Sequence, residues 1–151
     1  MKQFRYSLEN VLDYKAQVLD NLKVEHAVIM KSVTSKQEEI NRLNHTLISF
    51  EQDFDKAKTQ GASIEQFRLC DMCIGRMEEI IHMEKEQLHA LKMKEEGKKK
   101  EVITAKVDTS KFEHLKKKKQ QEYRKAEMKE EENFVEEFVS HGLLHNRRQS
   151  R

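Results

Sequence analysis

The chain has no proline, no tryptophan and only four glycines in 151 residues. Without proline nothing forces a helix to stop. With so few glycines, little of the backbone is suited to the left-handed turns on which folds of many short strands depend. Aromatic residues make up 7% of the chain and all apolar types 36%, against 37% charged. That is too little apolar material for a thick globular core. Two cysteines do not make a disulfide framework. Uncharged windows such as Leu43 to Phe50 fall far short of the roughly 20 apolar residues of a membrane span. The charged start, Met1 to Arg5, is not followed by the apolar run of a secretory signal, so a soluble cytoplasmic protein is expected. An excess of one charge is missing too. The net charge is only +2, which gives no nucleic-acid footprint in the total.

What is present is a periodic apolar seam. Alternate steps of four and three from Leu8 meet Leu12, Lys15, Leu19, Leu22, His26, Ile29, Val33, Lys36, Ile40, Leu43, Leu47, Phe50, Phe54 and Ala57. All but Lys15, His26 and Lys36 are apolar. A spacing of about 3.5 residues held this long specifies a helix with one narrow apolar stripe, supercoiled around a partner. Ser7 is a candidate N-cap, with Tyr6 and Val11 as a hydrophobic staple. Gly61, in Thr59-Gln60-Gly61-Ala62-Ser63, suits a helix C-terminus, and Ser63 with Gln66 has the spacing of a capping box that starts the next helix at once. So short a reversal makes the two helices antiparallel neighbours.

A single register satisfies both helices. Starting from Ala57 against Phe67, the layers run Phe54/Cys70, Phe50/Ile74, Leu47/Met77, Leu43/Ile81, Ile40/Glu84, Lys36/Leu88 and Val33/Leu91. They continue as Ile29/Glu95, His26/Lys98, Leu22/Val102, Leu19/Ala105, Lys15/Thr109 and Leu12/Phe112. The apolar members are the expected core, and the two mixed layers bring Lys36 near Glu84. The His26/Lys98 layer, beside Gly97, predicts a soft waist. The expected fold is therefore all-α, a long antiparallel two-helix coiled-coil hairpin in which helix 2 extends beyond helix 1. It forms a single elongated unit over 1–151, with helix 1 over about 7–58, a turn over about 59–63, helix 2 over about 64–139 and a flexible tail over 140–151. The same seams could also serve a dimer.

Past Phe112, helix 2 runs out of partner. Lys116, Lys117, Lys118, Lys119, Arg124 and Lys125 form a basic stretch, and Glu127, Glu130 to Glu132, Glu136 and Glu137 an acidic one. Tyr123, Phe134, Val135, Phe138 and Val139 lie among them. A lone amphipathic helix gains little from propensity, so these apolar residues point to a partner.

Several constellations look chemical and carry less. Cys70 and Cys73 form C-x-x-C, but no further ligands stand at zinc spacing and no βαβ context supports a redox site, so helix-packing cysteines are expected. His141 and His145 lie one helical turn apart with no third ligand fixed beside them. The lysine run is flanked by Glu113 and Glu122 and reads as a solvated or protein-docking patch, not a phosphate site. There is no glycine-rich phosphate loop, nucleophile elbow or carboxylate pair across a cleft. No enzymatic activity, cofactor or small-molecule substrate is expected.

With both ends in view, the chain resembles the FliJ family of the flagellar type III export apparatus. The opening Phe4-Arg5-Tyr6-Ser7-Leu8-Glu9-Asn10-Val11-Leu12 carries the resemblance, together with Lys111-Phe112-Glu113-His114-Leu115, the stretch Glu122 to Glu130, and Phe134-Val135-Glu136-Glu137-Phe138-Val139. The resemblance implies a coiled-coil stalk, similar to the rotor shaft of rotary ATP synthases, at the cytoplasmic face of the inner membrane. Its implied partners are the hexameric export ATPase FliI, the export gate protein FlhA, FliH and the escort chaperones of late substrates. It also implies a gate-binding surface on helix 2 soon after the turn, at Cys73, Met77, Ile80 and Glu84. The charged end, with Lys116, Lys117, Lys118, Lys119, Tyr123 and Arg124, is then expected to meet the ATPase ring. Two other classes stay open. A generic coiled-coil scaffold would pair with a second chain, and a basic nucleic-acid binder would lose affinity steeply with salt.

Overall fold

A computed structural model describes residues 3–149, with side chains through His145. It contains two helices, α1 over Glu9–Gln60 and α2 over Ile64–Gln149, and no strand among the described residues. They pack against each other as the two arms of a hairpin. The contacts divide the chain into two compact units, Met1–Leu19 with Ala105–Arg151, and Asp20–Thr104. The first is called the terminal unit below and the second the turn unit. Nothing in the sequence marks this boundary, because the heptad pattern passes through it unbroken.

In the turn unit the reversal forms as its residues dictate. Gly61 takes φ +79°, a conformation that side chains with a Cβ rarely adopt. The Ser63 hydroxyl accepts from the Gln66 N–H at 3.2 Å, and the Gln66 side-chain oxygen accepts from the Ser63 N–H at 3.1 Å. This reciprocal capping box satisfies two donors that a helix start would otherwise leave unpaired. Just inside the turn, Phe54 and Phe67 meet edge to face with centroids 5.9 Å apart, and the Lys58 ammonium sits 4.2 Å from the Phe54 centroid.

Burial along both helices follows the expected seam. Ile40, Ile81 and Leu88 are buried, while Leu22, Ile29, Val33, Leu43, Leu47, Phe50, Phe54, Phe67, Ile74, Met77, Leu91 and Val102 are half-buried. Two helices cannot enclose their own interface, so most seam residues keep one side in water. Lys36 donates to Glu84 at 2.6 Å and to Gln87 at 3.0 Å, as the adjoining mixed layers require. At the waist His26 and Lys98 each pair with an acid and not with each other: His26 Nε2 pairs with Glu95 at 2.7 Å, and Lys98 donates to Glu25 and Glu101, each at 2.9 Å. Their side chains are long enough to reach a neighbouring layer, and each finds an acid there.

In the terminal unit Leu12 and Leu19 are buried, with Phe112 half-buried. The start of α1 departs from expectation. Ser7 does not cap it; the Leu8 carbonyl accepts the first helical bond from Leu12, and the Glu9 N–H is taken by the Tyr6 carbonyl at 3.2 Å. The physical reason is Tyr6 itself, buried, with its hydroxyl donating to the Phe112 carbonyl at 3.2 Å. At the other end, α2 runs on to Gln149, past the end expected near 139 and into the stretch read as a tail over 140–151, whose last two residues lie outside the described ones. No proline stops it, and Gly142 lowers helix propensity without terminating the helix.

Three substitutions measure these local contributions. Gly61→Ala should destabilise the fold by about 1–2 kcal/mol through its left-handed backbone, and Ser63→Ala by about 1 kcal/mol through the lost cap. At Gly97 an added Cβ meets nothing within 4 Å. Gly97→Ala should therefore stabilise by up to about 1 kcal/mol. Urea unfolding followed by circular dichroism reads all three.

Candidate functional site

The terminal unit builds its surface on a set of contacts that close the end of the hairpin. Phe4 packs on Tyr123 with ring centroids 5.5 Å apart, and Glu9 accepts from Lys116 at 2.7 Å. Lys15 is paired with Asp108, while the buried Thr109 donates its hydroxyl to the Ala105 carbonyl at 2.8 Å and lies 3.4 Å from that of Lys15. The Lys15 ammonium beside Asp108 holds that carboxyl below its ordinary range. Burial, followed by the nearby Glu127 and Glu130 charges, raises the Tyr123 phenol.

These contacts sort the expected ATPase-facing residues into two groups. Lys116 and Tyr123 are half-buried and belong to the closure. Lys117, Lys118, Lys119 and Arg124 are exposed. Among them Lys119 donates to Glu122 at 3.0 Å, which lowers the Glu122 carboxyl. Beyond them α2 presents Phe134 and Phe138, 70% and 74% exposed, with Met128, Val135, Val139, Leu143 and Leu144 also outward.

In the turn unit the expected gate-facing residues divide in the same way. Met77 and Glu84 are half-buried members of the seam, Glu84 already holding Lys36. Cys73 and Ile80 lie one residue off the seam and are half-buried along its flank. The exposed apolar residues of this unit include Ile64, Leu69, Met72, Met83 and Met93 on α2 and Val24, Val28 and Ile48 on α1. Sequence reasoning passes over them because they fall outside the heptad seam. Leu69, Met72 and Met83 nonetheless share the face of α2 away from its seam, given the helical period. The packing of Phe4 on Tyr123 and the bond from Tyr6 to the Phe112 carbonyl are also missed. Their signal lies in two aromatics, spaced by two, immediately before a heptad run.

Cys70 and Cys73 are free thiols, both half-buried, and His141 and His145 are exposed. Among the described residues no group of three or more His, Cys, Asp or Glu side chains is placed to hold a metal ion. No helix there is long and apolar enough to cross a membrane.

The family model described as "Flagellar FliJ protein" matches residues 4–148, which span both units. The chain belongs to the FliJ family. Membership supports a flagellar, export-related role for this FliJ protein. No curated protein and no solved structure matches the chain.

The terminal closure has a pH signature. A carboxyl whose pKa is lowered on folding adds stability above its unfolded value and loses it as pH falls through the folded one. Asp108 is such a group. The stability difference between the parent chain and Asp108→Asn should therefore shrink as pH falls from about 5 to about 2, the range in which aspartates titrate. A difference independent of pH in urea titrations would show that the Lys15 contact does not act electrostatically.

Proposed function

We propose that this FliJ protein is the coiled-coil stalk of the flagellar type III export apparatus, joining the export ATPase FliI to the export gate protein FlhA. In this reading it couples ATP hydrolysis to substrate export and hands escort chaperones onward, working in the cytoplasm beside the inner membrane. FliH is a further neighbour. The observation that carries the proposal is the family match over residues 4–148, which takes in both candidate surfaces.

Chemistry suggests which surface serves which partner. A ring that grips a shaft in several angular positions needs contacts that are polar, long and adaptable. Lys117, Lys118 and Arg124, outward on a helix, are of that kind. An export gate that receives the stalk in one orientation can use an apolar patch flanked by charge, and the turn unit offers Cys73 and Ile80 along its flank. Met77 and Glu84 support that flank from the seam. No catalytic role is assigned to any residue.

Two variants separate these assignments. Combined Lys117→Glu, Lys118→Glu and Arg124→Glu should weaken FliI binding by at least about tenfold, or about 1.4 kcal/mol. Thermal unfolding should stay unchanged, since none of the three closes the hairpin. Combined Cys73→Asp and Ile80→Asp should weaken FlhA binding and spare FliI binding. Calorimetric titration with each purified partner checks both, and an exchange of the two phenotypes would reverse the assignment.

A further inference from the structure

We propose that the outer part of α2 is a self-association surface through which two copies of this chain join as an antiparallel two-helix coiled coil. The periodicity that supports this begins inside the terminal unit. There the half-buried residues of α2 recur as Phe112, Lys116, Gln120, Tyr123 and Glu127, at the three-and-four spacing of a coiled-coil seam. The same stripe continues along the helix as Glu131, Phe134, Phe138, His141 and His145. Every residue from Met128 to His145 is exposed. The seam therefore outlasts the helix that covers it.

Its chemistry identifies what completes it. Laid against a second copy running the other way, the stripe is complementary to itself. Glu131 and Phe134 of one copy come opposite His141 and Phe138 of the other, and both contacts repeat about a two-fold axis. Four phenylalanine rings form the centre, with carboxylate and imidazole layers on both sides. The hairpin already contains such a layer, the His26–Glu95 pair at 2.7 Å in its own seam.

The alternatives fit less well. A parallel pairing would set Glu131 on Glu131 and give His141 no carboxylate, so both carboxylate–imidazole layers are lost. A foreign basic helix would satisfy the acids but offer the histidines no carboxylate. An anionic membrane surface is disfavoured by Glu130, Glu132, Glu136 and Glu137 beside the stripe. In the antiparallel arrangement Val135 meets its own copy along one edge and Glu137 along the other. That repulsion is solvent-exposed and therefore weak.

Sedimentation equilibrium of the full-length chain tests the proposal between about 10 µM and about 1 mM, the range in which so small a contact populates both states. A monomer–dimer equilibrium is expected, and Phe138→Asp should abolish it. Glu131→Lys and His141→Glu should each weaken association by about tenfold or more, and their combination should recover it, because each swapped charge again meets its opposite. Circular dichroism melting of each variant verifies that the hairpin is intact. The proposal is overturned if the parent chain stays monomeric throughout, if its dimer ignores Phe138→Asp, or if the combined variant is as weak as the single ones.

Discussion

Everything in this chain depends on an interface too thin to exclude water. Two helices meeting along one stripe bury few side chains completely; among the described apolar residues only Tyr6, Leu12, Leu19, Ile40, Ile81 and Leu88 are buried. Apolar layers alone would tolerate sliding by a heptad, since one leucine layer resembles the next. The polar layers remove that freedom. Lys36 with Glu84 and His26 with Glu95 fix the turn unit, while Lys15 with Asp108 and Lys116 with Glu9 fix the terminal unit. Each pair is partly solvated and adds little energy of its own. Their effect is on register, because a slipped hairpin would leave these charges facing leucines or one another.

The sequence reveals the fold where local chemistry and periodicity agree. The Gly61 turn and the Ser63–Gln66 box are legible because each residue has one strong conformational preference and the two adjoin. The Lys36–Glu84 contact is legible because both residues interrupt neighbouring layers of an otherwise apolar stripe. Tyr6 is not. A tyrosine before a helix reads as a staple, whereas its hydroxyl bonds a carbonyl 106 residues away in sequence. The waist is legible as polar but not in its pairing, since long side chains choose between adjacent layers.

Surfaces are harder to read than seams. Met77 and Cys73 differ by only four positions, yet one lies in the seam and the other beside it. A patch taken over from a family resemblance therefore mixes residues beside the seam with residues that hold the helix in place. The lysine run divides likewise. Lys116 closes the end of the hairpin on Glu9, and its neighbours Lys117 and Lys118 are left outward. The physical cause is the helical period, which spreads four consecutive lysines around the helix. The residues just off the seam are therefore the ones free to serve the proposed binding, since an apolar or charged group there does not disturb the hairpin's packing.

The central claim is that one chain closes on itself in this register and so presents its surfaces without a partner chain. Cysteine crosslinking tests it most directly. Cysteines introduced as Leu12→Cys and Phe112→Cys, in a chain carrying Cys70→Ser and Cys73→Ser, should form a disulfide within a single chain under mild oxidation at high dilution. Denaturing gels should show a faster monomer band that reverts on reduction. Crosslinks found only between chains would contradict the hairpin and leave the seams to an intermolecular coiled coil.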